Sequence, residues 1–140
     1  MPDTPKHSVS VAGIVIDDQD RVLVIRRRDN NHWEPPGGVL ELNETFEQGV
    51  RREVLEETGV TVTVDRLTGV YKNMNRGIVA LVFRCHPEGQ PVTATSEARE
   101  VRWMNRSQIA QAMDPAYMVR VLDAFEPQSQ ARVHDGVNLA

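Results

Sequence analysis

The chain has 140 residues and 40% apolar content, enough for one domain with a real core and too few for two. Sixteen Lys and Arg against 20 Asp and Glu leave a net charge of −4, and only seven residues are Trp, Tyr or Phe. This argues against binding a nucleic-acid polymer through a basic field or a stacking platform. One cysteine, Cys85, excludes an internal disulfide framework and a cysteine-built zinc site. No apolar run reaches membrane-spanning length and residues 1–6 carry no signal core, so no membrane partner and a cytoplasmic location are expected.

Along the chain, Val9 to Ile16 is rich in β-branched residues, Asp17-Asp18-Gln19-Asp20 breaks it, and Arg21 to Ile25 resumes. The pair reads as a β-hairpin. Asp29 to Gly38 contains Pro35-Pro36-Gly37-Gly38 and reads as a loop pinned by Trp33. Thr45 and Gln48 have capping-box spacing, so a helix starts there, with Phe46, Val50 and Val54 as its buried stripe and Gly59 as its stop. Strand-like runs follow at 60–64, 67–71, 78–85 and 101–104. Asp114-Pro115 opens a last helix to about Phe125. Beyond Pro127 the chain is polar and aperiodic. One mixed α/β domain over 1–126 with a flexible tail over 127–140 is expected.

The chemistry concentrates in Gly38 to Val60. On a helix, Glu53, Glu56 and Glu57 stand at i, i+3 and i+4 and share one face. Crowded carboxylates repel unless a cation sits among them. Arg52 projects about 100° away from Glu53 on an ideal wheel, so a divalent cation is the better answer. Hard oxygen donors suit Mg²⁺, with Mn²⁺ as a substitute. Solvated surface glutamates are the plain alternative. Gly49 lies on the same face; its missing side chain admits either a ligand or a tightly packed loop.

Gly38, Glu44, Arg52, Glu53, Val54, Glu56, Glu57, Gly59 and Val60 fill every specified position of the Nudix box, and the chain thereby resembles that family. The resemblance implies an α/β/α sandwich with a mixed β-sheet between helices. It implies Glu53, Glu56 and Glu57 as metal ligands, completed by a backbone carbonyl at Gly38 or Gly37. It makes Glu44 and Arg52 a bracing ion pair and Gly59 the turn after the helix. The implied activity is Mg²⁺-dependent hydrolysis of a phosphoanhydride in a nucleoside diphosphate linked to another group. A Nudix-fold sensor that binds a nucleotide without hydrolysing it, and a phosphate-binding or metal-buffering protein, are the other classes. A homodimer is left open.

The general base is a box glutamate, Glu97 or Glu100. Glu97 is preferred because its Thr/Ser stretch allows it to swing toward a metal, while Glu100 shares a strand face with Arg102. Arg26 heads the Arg26-Arg27-Arg28 run as a phosphate ligand, against the alternative of a charged strand end. Trp33 is a base-stacking candidate or packing under the loop, and His32 a lesser base candidate. Cys85 reads as core, and His7, His86 and His134 have no metal-like spacing. The proline that marks the family's ADP-ribose type about fifteen residues past the box is missing at Asn73-Met74-Asn75-Arg76. Marks of the NADH and coenzyme A types are missing too. Elimination leaves a nucleoside triphosphate, ordinary or oxidised.

Overall fold

The computed structural model describes residues 3–140. Strands β1 (Ser8–Val15), β2 (Val22–Arg27), β3 (Trp33–Glu34) and β4 (Gly37–Val39) lead into helix α1 (Phe46–Thr58). Strands β5 (Val62–Asn73), β6 (Ile78–Pro87) and β7 (Ala98–Met104) follow, then α2 (Arg106–Ala112), α3 (Pro115–Ala124) and β8 (Gln130–His134). The strands form two sheets, a mixed one in the order β4-β1-β6-β5-β8 and an antiparallel one in the order β3-β2-β7.

Period-two alternation in β1 and β2 builds the layers. Val11, Val15, Leu23 and Ile25 pack with Val50 and Val54 of α1. Ala12, Ile14, Ile16, Val22 and Val24 face the other way, onto Ile109 of α2 and Val121 and Ala124 of α3. Both faces are therefore buried, which gives the expected α/β/α sandwich, with two sheets in its middle layer.

Several expectations need correction. The two strands of the expected β1–β2 hairpin pair only at the Ile16–Val22 bridge, because β1 pairs with β4 and β6 while β2 pairs with β3 and β7. The loop over 29–38 contains the two short strands β3 and β4. The runs at 60–64 and 67–71 are one strand, β5, whose bulges at Asp65 and Thr68 break the alternation. Phe46 is exposed; α1 meets the sheet a turn after its start, through Gly49, Val50, Glu53, Val54 and Glu57. The tail expected to be loose carries β8, which pairs in parallel with Gly69–Asn73 of β5 and buries His134. Helix α2 went unrecognised, although Asn105 and Gln108 form a capping box. The box helix itself keeps its expected ends. Thr45 Oγ1 accepts from the Gln48 amide at 3.2 Å, and Gly59 closes α1 in the left-handed region at φ 76°. Among the described residues no helix is long and apolar enough to cross a membrane.

Candidate active site

Three elements converge on one cluster. Helix α1 presents Glu53 and Glu57 from successive turns, and the β6–β7 loop brings in Glu97. One oxygen of each lies within 4.8 Å of the others. The loop is not free to swing as expected. Thr95 Oγ1 donates to the Glu57 carbonyl (3.1 Å) and accepts from the Ala98 amide (3.0 Å), while Arg28 Nη2 donates to the Thr95 carbonyl (2.7 Å). Glu97 is thus held against the helix by its neighbours.

Strand β4 brings backbone against these acids. A Cβ on Gly38 would stand 2.6 Å from the Glu53 carboxylate, so only glycine allows this approach. The Gly37 amide donates to Glu57 Oε1 at 2.7 Å. Burial pushes the Glu57 carboxyl up to about 8, the charges of Glu53, Glu97 and Glu34 add to this, and the Gly37 amide opposes it. Burial also raises Glu53, against the pull of Arg52. Mutually repelling carboxylate oxygens, those of Glu53 and Glu57 buried and that of Glu97 exposed, form a donor set that fits a hard divalent cation. Glu56 stands apart from the trio, exposed and 3.3 Å from Arg52 Nη1.

Arg52 does more than the helical wheel suggested. Its Nε and Nη2 grip Glu44 at 2.6 and 2.8 Å, and Nη2 also donates to the Val39 carbonyl at 3.1 Å. Its Nη1 curls back onto Glu53 Oε1 at 2.7 Å. The long side chain overcomes the 100° offset of adjacent helix positions. Gly49 is explained by packing: a Cβ there would meet Leu40 Cδ1 at 2.6 Å and Val11 Cγ2 at 3.1 Å.

The remaining candidates lie elsewhere. Arg26 is 3.6 Å from Glu100, donates to the Asn31 carbonyl and covers the Trp33 ring, as does Arg102. Glu100 is held between Arg26 and Arg102. Trp33 packs against the α2–α3 side of the core, and His32 lies beside it. Cys85 is fully buried, with its thiol pushed up to about 12 by burial. The cavity beside Gly37 and Gly38 receives Arg27, bonded to Glu34 at 3.0 Å, rather than Arg26. Only the β2 register decides which arginine faces it. Arg120 and His134 also line this cavity; the sequence singles out nothing at Arg120 and shows only that His134 lacks metal-like spacing. Neither belongs to a recognisable motif.

A NUDIX domain model matches residues 6–125. A MutT-like protein of Streptomyces ambofaciens is 54% identical over 136 residues, covering 96% of this chain and 88% of that one. An ADP-ribose pyrophosphatase of Methanocaldococcus jannaschii is 33% identical over 105 residues, 70% of this chain and 62% of the relative. In three dimensions the fold resembles a crystal structure of a NUDIX hydrolase from Nitrosomonas europaea. The TM-score is 0.78 at 23% identity, covering 93% of this chain and 79% of the other.

Proposed function

Since the chain belongs to the Nudix hydrolase family, we propose that it is an Mg²⁺-dependent pyrophosphohydrolase acting on nucleoside triphosphates, ordinary or oxidised. The observation that carries this reading is the Glu53, Glu57 and Glu97 cluster abutting a cavity across Gly37 and Gly38. Glu53 and Glu57 would hold the cation, with the Gly38 carbonyl beside them and Glu56 joining from the rim in exchange for Arg52. A bound divalent cation supplies charge neutralisation at the phosphoanhydride and a polarised water. Glu97, the exposed member, takes a proton from the attacking water. The water oxygen bonds to phosphorus, the bridging P–O bond breaks, and the released phosphate or pyrophosphate carries away the electron pair. Arg52 and Glu44 brace the loop against the helix and keep Glu53 oriented.

The triphosphate reading is supported by the missing ADP-ribose mark after the box. ADP-ribose is the second reading, favoured by the activity named for the M. jannaschii relative. A panel of nucleoside triphosphates, oxidised triphosphates and ADP-ribose, assayed for phosphate and pyrophosphate release, separates them. Turnover should vanish in chelator and return with Mg²⁺ or Mn²⁺. Binding of a nucleotide without release from any panel member would make the protein a sensor instead.

A further inference from the structure

The cavity beside Gly37 and Gly38 has a volume of about 210 Å³. One part of its lining is apolar, with Ala12, Ile78, Ala80 and the Tyr117 ring, while Arg27, Glu34, Asn73 and Arg76 add polar groups. Arg120 also lines it, only 8% exposed and over the rings of Tyr71 and Tyr117, 5.1 and 4.8 Å from their centres. Arg120 Nε has no hydrogen-bond partner. The carboxylate whose charge reaches it, Glu34, is already bonded to Arg27.

His134 sharpens the picture. Its Nδ1 faces the Gly136 amide at 3.0 Å, and its Nε2 faces Arg120. That Nε2 stands 3.2 Å from Arg120 Nη2. Burial and the Arg120 charge both lower the imidazole's proton affinity, so the ring is neutral and offers one acceptor nitrogen to two donors, the Gly136 amide and Arg120 Nη2. One of those two donors is therefore left without an acceptor, and Arg120 Nε is unused beside them. A buried donor without an acceptor is costly, and with the ring proton on Nε2 an acceptor oxygen set to one side, within reach of both Nε2 and Arg120 Nη2, would satisfy both.

Building on the hydrolase reading, we infer that Arg120 and His134 form an acceptor-reading pole for a carbonyl oxygen on the substrate's base. Bases with an oxo edge are then preferred over their amino-edged counterparts. Apolar contacts from Ala12, Ile78, Ala80 and the planar Tyr117 ring beside these donors suit a planar heterocycle better than a free anion, although phosphate offers the same acceptor chemistry.

Nucleosides test this without metal or turnover. Titrated into the metal-free protein and followed by NMR, inosine should bind about tenfold or more tighter than adenosine, and uridine tighter than cytidine. Equal affinities, or no binding of any of the four, would overturn the inference. Displacement of inosine by inorganic phosphate would assign the pole to anions and overturn it equally. Arg120→Lys keeps the charge but loses the fork, so the inosine-to-adenosine ratio should collapse to near one. Should that variant not fold, His134→Gln offers Arg120 an amide oxygen and should lower the same ratio. A wild-type ratio in a folded variant overturns the assignment. Preferential nucleoside binding without triphosphate hydrolysis would leave the pole standing and sink the hydrolase reading. Hydrolysis without base preference does the reverse.

Discussion

Glu57 combines two roles whose demands oppose each other in the metal-free protein. Its carboxyl titrates near 8 when folded and near the ordinary 4.5 when unfolded. Between those values the folded state holds a proton that the unfolded state has lost, so stability falls as pH rises. The metal-free protein should therefore melt several degrees lower at pH 8 than at pH 5. Glu57→Gln should flatten that pH dependence, keep the fold and reduce turnover by orders of magnitude. Calorimetry across pH with one hydrolysis assay checks it, and a variant as pH-dependent as wild type would assign the slope to another group. Arg52 behaves oppositely. Its hydrogen bonds hold the Glu44 carboxyl down at about 2, so the pair's contribution is complete above pH 4.5 and fades as pH falls toward 2. Arg52→Ala should lower the melting temperature by a few degrees at neutral pH, and by less at pH 3. It should also reduce turnover, because Glu53 loses its 2.7 Å anchor.

At the scale of elements, α1 is specified locally at both ends. The capping box starts it, and Gly59 stops it at φ 76°, where an L side chain is strained. A Cβ at Gly59 would also lie 3.2 Å from Val92 Cγ1 on the loop that leads to Glu97. Gly59→Ala should cost about 1–2 kcal/mol in urea denaturation. It should weaken metal binding too, because Val92 and Thr95 both anchor that loop to the end of α1. An unchanged unfolding midpoint would mean that the turn has an alternative conformation. The second helix pair is less self-sufficient. Asn105 and Gln108 cap α2, whereas the Asp114 side chain makes no cap bond to α3, which starts on Pro115 alone.

Across the whole molecule, the last strand ties the α3 layer to the mixed sheet. Arg132 of β8 grips Asp123 of α3 at 2.8 and 2.9 Å, and Asp123 accepts from the Tyr71 hydroxyl at 2.7 Å. The Val137 carbonyl accepts from the Ala116 amide in the first turn of α3. Removing residues 128–140 would strand buried Asp123 and uncover an edge of β5. The truncated chain should melt roughly ten degrees lower or more. A melting curve like that of the full chain would show that β8 is dispensable.

The sequence by itself determined what neighbours along the chain decide. The capping box, the glycine stop and the i, i+3, i+4 spacing of the box glutamates are short-range, and α1 appears where they place it. The charge pair of Glu44 and Arg52 was implied by the resemblance to the Nudix box rather than by its eight-residue spacing, and the structure forms it. Tertiary structure decided whatever depends on which strand lies beside which. The expected hairpin opens into two sheets because β1 gains more hydrogen-bond partners from β4 and β6 than from β2. Strand β8 forms only because β5, sixty residues earlier, offers it an edge. Membership of the carboxylate cluster follows the same rule: Glu97 enters through Thr95, while Glu56 turns out to the rim. Arg120 and His134 have no local pattern at all, since their meeting needs α3 and β8 packed on the same sheet. Short-range signals survive in a sequence because their partners are a few residues away, whereas a pocket is an intersection of distant segments and is visible only once they are folded together.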